Sequence, residues 1–186
     1  QQALDGGVKA IQLREKDLPG KDLFLLAEKT SKLCRAYRAA LFINDRVDVA
    51  LAVDAAGVQL SKASLPIVTA RTLLGPQKII GVSTHALQEA REAEKNGADY
   101  IGFGPMFGTS TKETGYAARG VEMLRQIRAG VTLPIVAIGG INEENVQQVW
   151  QAGADSAAII SDILRAEDIA AKIARILRQP RTHWQR

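Results

Sequence analysis

The stretch NGADYIGFG, residues 96–104, decides the fold. A helix-closing Asn-Gly is followed two residues later by a run of aromatic and β-branched side chains ending on glycine, which reads as a helix stopping, a turn and a buried strand. The phrase recurs as GGVKAIQL (6–13), AAGVQL (55–60) and AGADSAAII (152–160). Gly7, Gly57, Gly97 and Gly153 then fall where a left-handed helix C-cap is wanted, since glycine carries no Cβ penalty there. The repeating unit is helix, turn, strand.

Outward from that stretch, seven short apolar runs alternate with longer segments of helical spacing: AIQL (10–13), ALFI (40–43), GVQL (57–60), IIGVS (79–83), YIGFG (100–104), IVAIG (135–139) and AAIIS (157–161). Most lack polar alternation, and strands apolar on both sides belong to parallel sheets covered on both faces, or to barrels. Between them, Leu23, Leu26, Thr30, Leu33 and Tyr37 step by three and four. So do Val121, Leu124 and Ile127, then Val146, Val149 and Trp150, and later Ile169, Ile173 and Ile176. These stripes are core-facing. The expected fold is an α/β (β/α)8 TIM barrel whose first strand lies upstream of Gln1, because 186 residues plus one strand fits the compact end of a fold that takes roughly 200–250 residues. An open doubly wound sheet is the rival, but it would carry a glycine-rich dinucleotide loop after its first strand, and none is present. Residues 1–179 form one domain, with a basic tail at 180–186.

Composition narrows the function. Arg178, Arg181 and Arg186 crowd the end of the chain, and without them the net charge of +4 falls to +1. A nearly neutral body with 5% aromatics offers neither a phosphate-backbone surface nor base-stacking platforms, so nucleic acid is excluded as a partner. No apolar run reaches the roughly 18 residues needed to span a bilayer, and QQALDGGVKA reads as neither a secretion signal nor a transit peptide. The expected setting is the cytoplasm. Cys34 is the single cysteine, on the apolar face of a helix, and is expected to be a buried small hydrophobe. Oligomeric state is open, a homo-oligomer included.

In a barrel the chemistry sits at the C-terminal ends of the strands. Those ends supply Gln12, Arg14 and Lys16; Asn44 and Asp45; Ser61, Lys62 and Ser64; Ser83, Thr84 and His85; then the loop PMFGTSTKETG after Gly104; Gly139, Gly140 and Asn142; and Ser161. Each alone has an ordinary explanation, as a cap or a solvated charge. Converging on one rim, they make a site. AIGGIN places two glycines before a helix expected to begin near Asn142, and AIISDI ends the last strand before another helical turn, so backbone N–H groups could meet there on an anion. That is the recurrent phosphate position of such barrels.

IQLREK, INDRVDVAL, IGVSTH, ADYIGFGPMFGTSTK, VAIGGIN and AGADSAAIIS together resemble the thiamine-phosphate synthase and TenI superfamily, over about Gly6 to Asp168. The resemblance implies a transferase that joins hydroxymethylpyrimidine pyrophosphate to thiazole phosphate, with Mg²⁺ as cofactor and phosphorylated small molecules as partners. It implies that Arg14, Lys16, Asn44 and Lys112 hold the pyrophosphate and that Asp45 is a Mg²⁺ ligand. Gln12 and Ser83 match pyrimidine-side positions, Thr109 and Thr111 lie near the thiazole phosphate, and Gly140, Ile160 and Ser161 bind that phosphate chiefly through backbone N–H groups. One segment departs from the synthase pattern: GVQLSKAS carries Ser64 where a second Mg²⁺-binding aspartate is expected, and TenI-type proteins, some of them thiazole tautomerases, also lack the full acidic motif. The segment GPMFGTSTK instead resembles a synthase, with Pro105 following Gly104 where Bacillus-type tautomerases carry a catalytic histidine. A thiazole tautomerase and a non-catalytic binder of thiazole or thiamine phosphate are therefore the alternatives.

Overall fold

The computed structural model describes residues 1–108 and 116–180. Thr109, Thr111, Lys112 and most of the basic tail lie outside the described residues. In chain order the elements are α1 (Gln2–Asp5), β1 (Ala10–Leu13), α2 (Gly20–Ala36), β2 (Ala40–Asn44), α3 (Val47–Ala52), β3 (Gly57–Leu60), α4 (Ile67–Leu74), β4 (Ile79–Thr84), α5 (Leu87–Lys95) and β5 (Tyr100–Phe103). They continue with α6 (Gly120–Gly130), β6 (Ile135–Ile138), α7 (Val146–Gln151), β7 (Ser156–Ala158), α8 (Ser161–Leu164) and α9 (Ile169–Arg178). The strands form one sheet in sequence order, every neighbouring pair parallel. A parallel pair needs a crossover, and helices supply each one.

The fold is α/β and TIM-like, but the sheet is not a closed eight-stranded barrel. Among the described residues β1 and β7 are its edges and do not pair with each other. Helices bridge the two ends: α1 packs so tightly on α9 that a Cβ on Gly6 would lie 2.9 Å from both the Ala170 carbonyl oxygen and Ile173 Cβ. No helix among the described residues is long and apolar enough to cross a membrane.

The strands sort their side chains by a period of two. Ile11, Leu13, Leu41, Ile43, Val58, Leu60 and Ile80 pack outward in one core with Leu23, Ala27, Cys34 and Val49 of the helices. Ile101, Phe103, Ile135 and Ala137 pack with Ala90, Leu124, Ile127, Val146 and Trp150 in a second. The concave face differs from the expectation of apolar side chains on both sides. The registers Gln12↔Phe42, Asn44↔Gln59, Gln59↔Gly81 and Ser83↔Gly102 put mostly glycine and polar residues there, with Phe42 among them. Tyr100 fills part of it, edge-on to Phe42 at 5.7 Å and lying over Gly81, where a Cβ would come within 2.4 Å of two of its ring atoms and its hydroxyl oxygen.

Three local expectations are corrected. The buried stripe of α2 is Leu23, Ala27, Ser31 and Cys34. Small side chains let that helix approach the sheet, and the larger Leu26 and Leu33 lie on its flank. Gly57 is not a left-handed cap: the positive φ falls on Asp54 (52°), and Gly57 opens β3, where a Cβ would sit 1.9 Å from the Ile79 carbonyl oxygen. Gly7, Gly97 and Gly153 do have positive φ, and Cys34 is buried. Finally, α7 starts at Val146, because Asn142 and Asn145 first build a side-chain-bonded turn.

The repeat has a second component besides glycine. In both NGAD and AGAD the aspartate ties the start of a neighbouring strand: Asp99 accepts the Ile80 N–H at 2.7 Å and an Arg71 N–H at 2.6 Å, and Asp155 accepts the Ile135 N–H at 2.8 Å and an Arg128 N–H at 3.0 Å. Ile135 is fully buried. Asp155→Ala therefore strands a buried donor and is expected to cost about 1–3 kcal/mol in urea unfolding, with Asp155→Asn losing less. An unchanged midpoint in the alanine variant would remove this role.

Candidate active site

The C-terminal ends of β1, β2 and β3 are knitted together by side chains. Gln12 donates to Asn44 Oδ1 at 3.1 Å, and Asn44 donates onward to Asp45 Oδ2 at 2.7 Å. Asp45 Oδ1 accepts the Ser61 N–H at 3.0 Å and the Ser64 hydroxyl. Asp45 adopts this position with φ of 60°, a left-handed conformation that aspartate tolerates better than most residues. Burial alone would push its carboxyl pKa up, but hydrogen bonds from Ser64 and Ser61 and the nearby charge of Lys16 outweigh burial and hold it below the usual carboxylate range. The group is an anion with a cation close by. Arg14 and Lys16 themselves are solvent-exposed just beyond β1, on the same rim.

Deeper on the concave face, Gln59 donates to Ser83 Oγ at 3.1 Å, and its amide lies 3.1 Å from where a Cβ on Gly102 would stand. Gln59 is 7% exposed, one of few buried polar side chains among the described residues. Together with Phe42 and Tyr100 it lines the interior, and the sequence reading missed all three as site residues. The available signal was a polar residue in an apolar strand flanked, in register, by glycine on the next strand.

A glycine turn follows the C-terminal end of β6. Gly139 and Gly140 have φ of 96° and 65°. Gly140 sits against the start of the loop after β5: a Cβ would fall 2.6 Å from the Gly108 carbonyl oxygen and 2.8 Å from Phe107 Cβ. Among the described residues the Gly140 N–H donates to no protein acceptor. Asn145 Nδ2 holds the Gly140 carbonyl at 3.0 Å, fixing the peptide plane. Ile160 and Ser161 follow β7 at the first turn of α8, with Ile160 46% exposed. The helix α7 begins at Val146, and its N-cap Asn145 is the residue bonded to the Gly140 carbonyl.

Thus Gln12, Asn44 and Asp45 are brought into one hydrogen-bonded chain, Ser83 joins Gln59 behind it, and Gly140 lies by the base of the loop carrying Thr109, Thr111 and Lys112. On metal binding, no group of three or more His, Cys, Asp or Glu side chains is gathered among the described residues. Asp45 is a single ionised carboxylate. That fits Mg²⁺, which is commonly held by one or two carboxylates together with substrate phosphates, and does not fit an all-protein cage.

A single parallel sheet in sequence order, with helices at every crossover and polar residues at the C-terminal strand ends, defines an α/β protein of TIM-like class. The chain belongs to the thiamine monophosphate synthase family, whose model matches residues 1–163. It is 47% identical to the thiamine-phosphate synthase of Syntrophomonas wolfei over 184 residues, 99% of this chain and 86% of that protein. It is 48% identical to the Pyrococcus furiosus thiamine-phosphate synthase over 168 residues, 90% of this chain and 80% of that one. The solved thiamine phosphate pyrophosphorylase from Pyrococcus furiosus superposes with a TM-score of 0.87 at 44% identity, covering 95% of this chain and 84% of that structure.

Proposed function

We propose that this protein is a thiamine-phosphate synthase, joining hydroxymethylpyrimidine pyrophosphate to thiazole phosphate. The observation that carries the reading is the ionised Asp45 beside a cationic strand end, in a chain that matches synthases along nearly its whole length. In the reaction the bond from the pyrimidine methylene carbon to the pyrophosphate oxygen breaks, and its electron pair leaves with pyrophosphate. The thiazole ring nitrogen then contributes its lone pair to form the new C–N bond. Negative charge grows on the departing group, so the demand is for fixed cations at the leaving oxygens rather than for a base.

Arg14, Lys16 and Lys112 meet that demand, with Asn44 donating to the same group. Gln12 and Ser83, with Gln59 behind Ser83, orient the pyrimidine on the concave face. The Gly140, Ile160 and Ser161 amides, with Thr109 and Thr111, hold the thiazole phosphate on the opposite side of the mouth. Mg²⁺, held by Asp45 together with pyrophosphate oxygens, would add positive charge at the leaving group. The partners on this reading are two phosphorylated small molecules, met in the cytoplasm.

The seam in the sheet has a matching reading: a further parallel strand closes it between β1 and β7, completing an eight-stranded barrel. Support comes from the exposed Ala10 and Gln12 on one edge, the exposed Ser156 on the other, and Ile79, a concave-face isoleucine left 37% exposed.

The test is to incubate the full-length protein with Mg²⁺, pyrimidine pyrophosphate and thiazole phosphate, and separately with the thiazole carboxylate phosphate tautomer. Thiamine phosphate and pyrophosphate in equal amounts are expected from the first. Isomer conversion alone would make it a tautomerase, and binding without either reaction would make it a non-catalytic homologue. A further prediction concerns Ser64, whose hydroxyl donates to Asp45. Ser64→Asp adds a second carboxylate beside the first and is expected to lower the Mg²⁺ concentration that half-saturates turnover by roughly tenfold, because charge count tunes hard-cation affinity. An unshifted Mg²⁺ titration would count against Asp45 as the ligand.

A further inference from the structure

Behind the glycine turn lies a charged cluster that the proposed chemistry does not use. Asp162, in the first turn of α8, accepts the Glu143 N–H through Oδ2 at 3.0 Å and meets Lys172 Nζ through Oδ1 at 3.0 Å. Lys172, on α9, also meets Glu143 Oε2 at 3.2 Å. Arg175 grips the Glu143 carboxylate at 2.8 and 3.2 Å, and Gln179 donates to the Glu143 carbonyl at 2.7 Å. Glu143 is continuous with the turn in which Asn142 accepts the Asn145 N–H and Asn145 holds the Gly140 carbonyl. The side chains of Lys172, Asp162 and Glu143 are 18%, 23% and 26% exposed, so solvent screens the cluster less than a surface pair.

The cluster joins the two elements that would share one phosphate: the turn after β6, bearing Gly140, and the turn after β7, bearing Ile160 and Ser161. Two amides from separate loops grip one phosphate only if their spacing is fixed. Asp162 sets that spacing by bonding the backbone of the other loop, and Lys172 holds both carboxylates in place. There is also a charge argument. Asp162 and Glu143 are carboxylates close behind an anion site, and Lys172 offsets their repulsion of a phosphate dianion.

We propose that Lys172 is a positioning residue for phosphate binding, clamping the Gly140 turn to the Ile160–Ser161 turn and neutralising the carboxylates behind them. The inference rests on the synthase reading above and deepens it by assigning the clamp to the thiazole phosphate alone. In steady-state kinetics, Lys172→Met is expected to raise KM for thiazole phosphate by about tenfold, the scale of a displaced binding group, while KM for pyrimidine pyrophosphate stays within about twofold. Lys172→Arg, which restores the charge, is expected to recover most of the loss. A second measurement separates this inference from the synthase reading: titration of inorganic phosphate against the ¹⁵N amide signal of Gly140. If wild type makes no thiamine phosphate, the synthase reading fails, yet a weaker phosphate response in Lys172→Met that Lys172→Arg restores still supports the clamp. Equal rises in both KM values, or a Gly140 titration identical to wild type, would overturn it.

Discussion

Arg14→Ala is expected to lower kcat by about 100-fold or more, the scale seen when one preorganised group facing developing charge is removed. The reason lies in where β1 ends. Gln12, two residues before Arg14, is bonded to Asn44, and Asn44 to Asp45, so the strand end is held against its neighbour instead of fraying. On the proposed reading, a guanidinium carried by that strand end faces the departing pyrophosphate, and a guanidinium can bond two oxygens at once. Lys16 cannot substitute for it fully, because an ammonium is a point charge and does not offer the two parallel donors of a guanidinium. Arg14→Lys is accordingly expected to recover only part of the rate. A wild-type kcat in Arg14→Ala would reduce the residue to a solvated surface charge.

Gly140→Ala is expected to have the next largest effect, and on a different parameter. At φ of 65° a methyl group costs backbone strain of about 1–3 kcal/mol. It would also stand 2.6 Å from the Gly108 carbonyl oxygen and 2.8 Å from Phe107 Cβ, contacts that a folded chain relieves only by moving the turn or the loop base. Either movement displaces the amide proposed to bind phosphate. KM for thiazole phosphate is expected to rise by roughly 100-fold, as misplacement of a positioning group by about 1 Å can produce. The pyrophosphate side, on other strands, should bind nearly as before. Parallel thermal melts separate the strain from the binding loss, and an unchanged KM for thiazole phosphate would remove Gly140 from the site.

The strands were legible because their outward residues, such as Ile43, Leu60, Ile101 and Ile135, are nearly or fully buried and apolar, and the helices between them carried regular stripes. The concave face was harder to see. Gln12, Gln59, Gly81, Ser83 and Gly102 do alternate with those apolar residues, but in runs of four or five one glutamine or glycine is easily absorbed into an apolar segment. Gly57 shows the ambiguity of glycine, which marks both left-handed turns and close backbone approach; the Ile79 carbonyl, supplied by another strand, decides which. The stripe of α2 was displaced because burial there follows small side chains, Ala27 and Ser31, rather than large ones.

Of the candidate site, the rim was legible as a list of strand-end residues. The hydrogen-bonded order from Gln12 through Asn44 and Asp45 to Ser64 was not, because it joins residues far apart along the chain, Gln12 to Asn44 and Asp45 to Ser64, through the register of neighbouring strands. Ser64 is instructive. The sequence marks it as a departure from the family pattern, and its hydroxyl lies against Asp45, beside the proposed metal position. The Lys172 cluster had no sequence signal at all, since its members come from a turn, a one-turn helix and the last described helix.

The central claim is that one mouth of the sheet holds both phosphorylated groups, with the leaving pyrophosphate on the β1–β2 side and the thiazole phosphate at the β6–β7 turns. A crystal structure of the full-length protein with Mn²⁺, pyrophosphate and thiamine phosphate tests it most directly. The expected result is an anomalous peak for the metal within direct coordinating distance of an Asp45 oxygen, pyrophosphate against Arg14, and the ester phosphate on the Gly140 and Ser161 amides. Metal and pyrophosphate bound away from Asp45, or the ester phosphate away from the Gly140 turn, would contradict the account.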